Sequence, residues 1–445
     1  MSGLPEGWAI TSPTVVAEPI RGVTYKKDQA RDTAASGFTP LLRANNLQQG
    51  RLVQTDLVYV PDENVSENQM LRPNDVVIAM SSGSISVVGK TAQVAGDVSA
   101  SFGAFCGVLR PSPEMDPRYL GWFLKSDAYR TGISQLARGV NINNLKWSHF
   151  QEIPLPLAPR PEQKRIADKL DSVLARVDAC RDRLDRIPAL LKRFRQSVLA
   201  AATSGRLTED WRAVNVMPPW RASDIQSVAQ VATGSTPLRS NSTFYAETGT
   251  PWITSAATSQ PVVIAAEQFV TDEAVAAHRL KVFPVGTLLV AMYGEGKTRG
   301  QVTELGLPAT INQACAAVVV DEHMALRGYV KLVLQANYMQ MRELAEGGNQ
   351  PNLNLSKVKE FPLLLPPLAE QHEIVRCVET LFAFADRVEA RCAAARKQAG
   401  QLTPALLAKA FRGELVPQDP ADEPAAELLK RLAARRAEAP KARRG

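Results

Sequence analysis

The sequence predicts an α+β protein in which two similar mixed α/β domains are joined by two long helices, the helices forming an antiparallel coiled coil with pseudo-twofold symmetry. Three observations predict it. Apolar residues recur at alternating spacings of four and three at Ile166, Leu170, Val173, Val177, Cys180, Leu184, Ile187, Leu191, Phe194 and Val198, a pattern whose stripe needs a partner helix to cover it. The same positions return 208 residues later as Ile374, Val378, Leu381, Ala385, Val388, Cys392, Ala395, Ala399, Leu402 and Leu406. At that offset Gly139/Gly347, Asn141/Asn349, Asn144/Asn352, Ser148/Ser356, Pro154/Pro362, Glu162/Glu370, Gln163/Gln371 and Gly205/Gly413 also match without a gap, which marks an internal duplication.

In chain order, residues 1–158 form the first domain, with short β-rich runs at 57–60, 76–80, 87–88 and 105–109 set between Gly, Pro, Asn and Ser clusters. A single helix is expected from Pro117 to Gln135. Residues 159–205 hold the first coil helix, opened by Pro159 and Pro161 with Glu162 in the first turn and closed by Gly205. Pro188 predicts a kink within it. Residues 206–366 replay the first domain, Pro219-Trp220 matching Gly7-Trp8, and residues 367–413 hold the second coil helix. Residues 414–445, Pro-rich and then Ala/Arg/Lys-rich, read as a flexible charged tail with room for one helix. Connectivity sets the direction of pairing. A seam from residue 166 to 198 is roughly 48 Å long at about 1.5 Å per residue, and parallel helices would force the second domain to stretch that far between its own ends.

Composition narrows the function classes. The 445 residues carry a net charge of +7, a basic balance that suits an anionic partner such as nucleic acid. Cys106, Cys180, Cys315, Cys377 and Cys392 show no C-x-x-C spacing and read as reduced, buried apolar residues of a cytoplasmic protein. The four histidines are scattered, so no metal site is expected. No apolar run reaches the ~18 residues of a membrane helix, and the first ten residues lack a signal-peptide pattern, so neither export nor membrane insertion is expected.

Two motifs compete for a catalytic reading. Ala291 to Thr298, A-M-Y-G-E-G-K-T, satisfies a loose phosphate-loop pattern, but residues 299–308 are strand and turn material where a helix should open. Met217-Pro218-Pro219-Trp220 resembles the Asn/Asp-Pro-Pro-aromatic box of adenine methyltransferases, yet Met217 lacks the side-chain oxygen that box requires. No catalytic residues are therefore assigned. The competing interpretations are a noncatalytic coiled-coil scaffold with two protein-binding domains and a phosphate-loop nucleotide-binding protein.

Two similar but non-identical ends in one chain resemble the symmetry of a dimeric protein reading two DNA half-sites. Unequal ends imply a bipartite, non-palindromic target with an unread spacer. The loops carry residues suited to reading it: Arg43, Asn45, Asn46, Arg51, Lys90, Arg138, Asn143 and Lys146 in the first domain, and Arg239, Asn241, Tyr245, Trp252, Lys297, Arg299 and Lys357 in the second. Arg pairs with guanine and Asn with adenine through the major groove, while Lys meets phosphates.

The paired segments Ile153-Pro154-Leu155-Pro156-Leu157 to Glu162-Gln163-x-x-Ile166 and Phe361-Pro362-Leu363-Leu364-Leu365 to Glu370-Gln371-x-x-Ile374, with the helix exits at Gly205 and Gly413, resemble the DNA-specificity subunits of Type I restriction-modification systems. The resemblance covers nearly the whole chain. It implies two target-recognition domains on double-stranded DNA, two methylation subunits using S-adenosylmethionine, and two restriction subunits driven by ATP with Mg. Cofactors and catalytic residues would lie on those partners and none on this chain. One departure is Gly400 and Pro404 in the second helix, where the first repeat has Lys192 and Gln196.

Overall fold

A computed structural model describes residues 3–137, 143–294, 297–344 and 353–438. The chain divides into two compact units, Met1–Leu184 with Ala394–Gly445, and Asp185–Ala393. Both divisions fall inside long helices, Arg160–Thr203 and Leu368–Phe411. Each helix runs on through its proline, Pro188 or Pro404, so the expected interruption at Pro188 does not divide the helix.

In the first unit a four-stranded antiparallel sheet is ordered Ala17–Arg21, Cys106–Pro111, Val76–Ala79, Thr91–Gln93, with Val108 opposite both Ile20 and Val77. Val76 to Ala79 are buried on both faces, which is why this run is continuously apolar instead of alternating. Val87-Val88, expected as a strand, lies in the turn that leads into Thr91–Gln93. The single helix expected from Pro117 to Gln135 is two, Pro117–Phe123 and Asp127–Leu136. Ser126 restarts it by accepting a bond from the Tyr129 N–H.

The second unit repeats the plan as a five-stranded sheet, Ala229–Thr233, Cys315–Val320, Leu288–Ala291, Val302–Leu305, Val262–Val263, parallel only at its last pair. The duplication is visible in the register. Cys106 faces Ala79 and Cys315 faces Ala291. Burial pushes both thiols up to about 12, so neither supplies a thiolate nucleophile at neutral pH. Cys180, by contrast, is exposed, and Cys377 and Cys392 are half-buried, which corrects their assignment as buried residues.

Helix pairing is antiparallel within each unit. In the first, Ile166, Leu170 and Leu174 share a core with Leu407, Ala410 and Phe411; in the second, Val198 and Ala202 share one with Ile374 and Val378. Phe411 meets Tyr119 and Phe123 edge-on at 5.2 and 5.3 Å, tying a helix end to its own unit's globular part. Of the expected seam, Ile166, Leu170, Val177, Leu191, Ile374 and Val378 are buried, while Val173, Leu184, Leu381, Val388 and Leu406 are half-buried. Leu402 is 46% exposed and does not belong to the seam. A helix of 3.6 residues per turn drifts off a strict 3.5 repeat, and toward this end Leu407 takes the inward position.

The tail is not free chain. Ala425–Glu438 is a helix that buries Ala425, Leu428 and Leu432 in the first unit's core, and Arg431 and Arg435 both pair with Glu114. Its apolar residues recur at helical spacing, and that stripe, not its charge, fixes its position. Leu428→Ala should lower the stability of the first unit by about 2–5 kcal/mol. Calorimetry should show its transition moving while that of the second unit stays in place; if both stay in place, the helix is not part of this core.

Candidate nucleic-acid interface

Each long helix begins on a Glu-Gln pair that anchors it. Glu162, 1% exposed, accepts from the Trp8 indole at 2.9 Å and the Gln418 amide at 3.2 Å. Glu370, fully buried, accepts from the Trp220 indole at 2.9 Å, the Thr208 hydroxyl at 2.7 Å and the Arg212 guanidinium at 2.9 Å. The glutamines are equivalent too. Gln163 donates to the Ala158 carbonyl and accepts from the Asp116 N–H, and Gln371 donates to the Pro366 carbonyl and accepts from the Leu326 N–H. This explains why Glu, Gln and Trp recur in both repeats, a role that first-turn helix chemistry alone did not disclose.

The two carboxylates differ in one respect. Among the described residues no cation donates to Glu162, and burial raises its pKa despite the Trp8 and Gln418 bonds and nearby Arg165, with Asp422 adding to the rise. A folded-state pKa above the unfolded one contributes stability that is present at low pH and is lost as pH climbs through the folded value. The stability advantage of the native chain over Glu162→Gln should therefore shrink from acid to neutral pH in denaturant melts. An advantage that grows with pH would contradict the assignment.

From these anchors each domain presents a matched set of tied segments. In the first, Met80 N–H donates to the Phe105 carbonyl at 2.8 Å, and the Met80 carbonyl accepts from Leu145 N–H at 2.8 Å. In the second, Met292 N–H donates to the Ala314 carbonyl at 2.8 Å, and its carbonyl accepts from Leu353 N–H at 3.1 Å. A third segment passes close by in each. Gly22 lies against the Gly103 carbonyl and Gly234 against the Ile311 carbonyl, too near for any Cβ. The frames are alike and the side chains on them are not: Phe105 stands where Ala314 does, Ser81 where Tyr293 does, Lys146 where Asn354 does. Phe105 is 70% exposed, an unusual position for phenylalanine.

In the first unit the frame encloses a groove of about 480 Å³ lined by Arg21, Thr24, Asn144, Lys146 and Trp147, among others. No described lining residue is acidic, so the groove favours an anion. Of the residues expected to read nucleic acid, Lys146 lines it and Asn143 lies beside it, paired in register with Ser82. Arg21, Thr24 and Phe105 were not foreseen; as a lone cation, a lone hydroxyl and an apolar residue in a strand-like run, they gave no local signal.

The other candidates lie elsewhere. Arg43 and Asn45 both donate to the Asp56 carboxylate, and Arg51 pairs with Asp178 on the long helix. Asn46 is corrected: it is 1% exposed, and its amide is spent on the Val53 and Thr55 carbonyls and the Arg43 N–H. Trp252 is corrected likewise, being 2% exposed with its indole donating to the Ser235 carbonyl. Tyr245 packs on Trp252 and gives its hydroxyl to the Pro237 carbonyl, with Arg239 over both rings. Asn241 caps a short turn by accepting from Thr243, and Lys357 donates its own N–H to the capping Asn354. Lys90 is exposed in the turn after Gly89, while Lys297 and Arg299 occupy a turn of the second unit. Arg138 lies outside the described residues, as do Gly139, Asn141, Gly347, Asn349 and Asn352.

The phosphate-loop pattern does not form a phosphate loop. Leu288–Ala291 and Val302–Leu305 are antiparallel neighbours, and residues 297–301, where the helix of a phosphate loop would open, are turn leading back to the sheet. Among the described residues no His/Cys/Asp/Glu cluster could hold a metal ion, and no helix is long and apolar enough to cross a membrane.

Twin α/β domains, each anchored on an antiparallel helix pair and each presenting the same frame with different side chains, define a protein built to recognise two unlike things in one way. The chain belongs to the Type I restriction modification DNA specificity domain family, whose profile matches residues 5–189 and again 217–392. It is 37% identical to the Type I restriction enzyme StySPI specificity subunit of Salmonella potsdam, over 98% of this chain and 96% of that one. It is equally 37% identical to the EcoKI specificity subunit of Escherichia coli K12, with the same coverage of both chains. The fold is shared with the crystallised HsdS subunit of Thermoanaerobacter tengcongensis at a TM-score of 0.63 and 19% identity, covering 93% of this chain and 98% of that one.

Proposed function

We propose that this chain is the sequence-reading subunit of a Type I restriction-modification complex. It binds double-stranded DNA at a bipartite, asymmetric target with an unread spacer, and directs two methylation subunits and two restriction subunits to that site. It catalyses nothing itself. S-adenosylmethionine, ATP and Mg act on the partner subunits, and the complex works in the cytoplasm. One observation carries this reading: the tied frame of Met80, Phe105 and Leu145 recurs at Met292, Ala314 and Leu353 with different side chains on it. A shared frame with changed readers is what two unlike half-sites require, because the scaffold fixes position and the loops fix sequence.

Of the residues expected to meet bases or phosphates, Lys146, Asn143, Lys297, Arg299 and Lys357 remain assigned to DNA, joined by Arg21, Thr24 and Phe105. Titrating the full chain with duplex DNA at rising salt tests the reading. Neutralising several phosphates makes affinity fall by about 10³-fold or more between ~50 and ~200 mM salt. Absence of binding at low salt would sink it.

A further inference from the structure

We propose that a second groove, on the Asp185–Ala393 unit, is a sequence-independent track for the phosphate backbone of duplex DNA, an inference that rests on the DNA reading above. It is an open groove of about 700 Å³ to which four elements contribute cations or amides: Lys192 and Gln196 from the first long helix, Lys297 and Gln301 from the turn between Leu288–Ala291 and Val302–Leu305, Gln335 from Arg327–Ala336 and Arg342 from Tyr338–Glu343. No described lining residue is acidic.

The turn is held against the groove from below. The Tyr338 hydroxyl donates to the Lys297 carbonyl at 2.6 Å, and Arg342 donates to the Tyr338 hydroxyl at 3.1 Å and the Arg299 carbonyl at 3.2 Å. Gly300, at φ +82, packs where a Cβ would stand 3.2 Å from the Arg342 side chain. The lysine of the G-E-G-K-T motif thus lines this groove although the motif forms no phosphate loop.

The arrangement points to a linear polyanion. A terminal phosphate is held by donors converging from one loop and a helix N-terminus, whereas here the cations are spread over three elements along an open groove. The glutamine amides can donate to phosphate oxygens without reading a base. The first unit has no such pair, since its residues matching Lys192 and Gln196 are Gly400 and Pro404 of the second long helix. The track is therefore a feature of one unit, adding affinity without specificity.

The test compares the full chain with the Lys192→Gln/Lys297→Gln variant on mixed-sequence duplex DNA over a range of salt. Losing two phosphate contacts should reduce the slope of log affinity against log salt by about 1.8. An unchanged slope with wild-type affinity overturns the track. Lysine acetylation of the wild-type chain, with and without DNA, gives an answer even if the variant fails to fold: DNA should protect Lys192 and Lys297. Protection by inorganic triphosphate and not by DNA would assign the groove to a small polyanion and overturn the inference. A wild-type chain that binds no duplex DNA at all would instead overturn the underlying DNA reading.

Discussion

Glu370→Ala should lower the stability of the chain by about 3–5 kcal/mol, the largest effect expected of any single substitution here, because it leaves the buried Thr208 hydroxyl and the half-buried Trp220 indole and Arg212 guanidinium without their acceptor. The carboxylate is fully buried and accepts from Trp220, Thr208 and Arg212 at once. It joins the start of the second long helix to the segment just after the first, so its loss opens both. Glu162→Ala should cost less, since only the neutral Trp8 and Gln418 donors lose their partner. Denaturant melts of the two variants check the order. Equal losses would mean that the Arg212 bond contributes nothing, and a Glu370→Ala loss under about 1 kcal/mol would put it in the range of an exposed ion pair.

Exchanging residues 1–158 for the corresponding domain of a relative should change one half of the methylated target completely and leave the other half untouched. The basis is local. The loops tied through Met80 belong wholly to the first domain, those tied through Met292 wholly to the second, and each frame closes on its own backbone hydrogen bonds. The helix anchors at Glu162 and Glu370 recur in both repeats, so a foreign domain with its own Trp and Glu-Gln contacts meets the same helix start. Methylation mapping of the chimera reads the outcome, and simultaneous change in both halves would end the modular account.

Repetition made much of the architecture legible in the sequence. The doubled seam, the exit glycines at Gly205 and Gly413, both at positive φ, and the Glu-Gln pairs were visible because each occurs twice at one offset. Features of one repeat were harder to read. The tail helix looked like disorder because its charge conceals an apolar stripe of Ala425, Leu428 and Leu432 that is meaningful only against the first unit's core. Asn46 and Trp252 looked like readers because residue type does not report burial, and both turned inward to satisfy backbone carbonyls. Leu402 was placed on the seam by strict spacing, which a real helix does not keep over many turns. Arg21 reaches the candidate interface only through strand register, opposite Gly107, and Phe105 only through the turn that leads into that strand; a sequence read locally carries neither placement.

The central claim is that one chain reads two different DNA half-sites with two versions of one frame. Mapping methylated adenines across a genome that carries this chain with its methylation subunits tests it most directly. The account predicts a single non-palindromic motif of two defined parts separated by a fixed run of unspecified bases. A continuous or palindromic motif, lost whole when either domain's loops are altered, would contradict it.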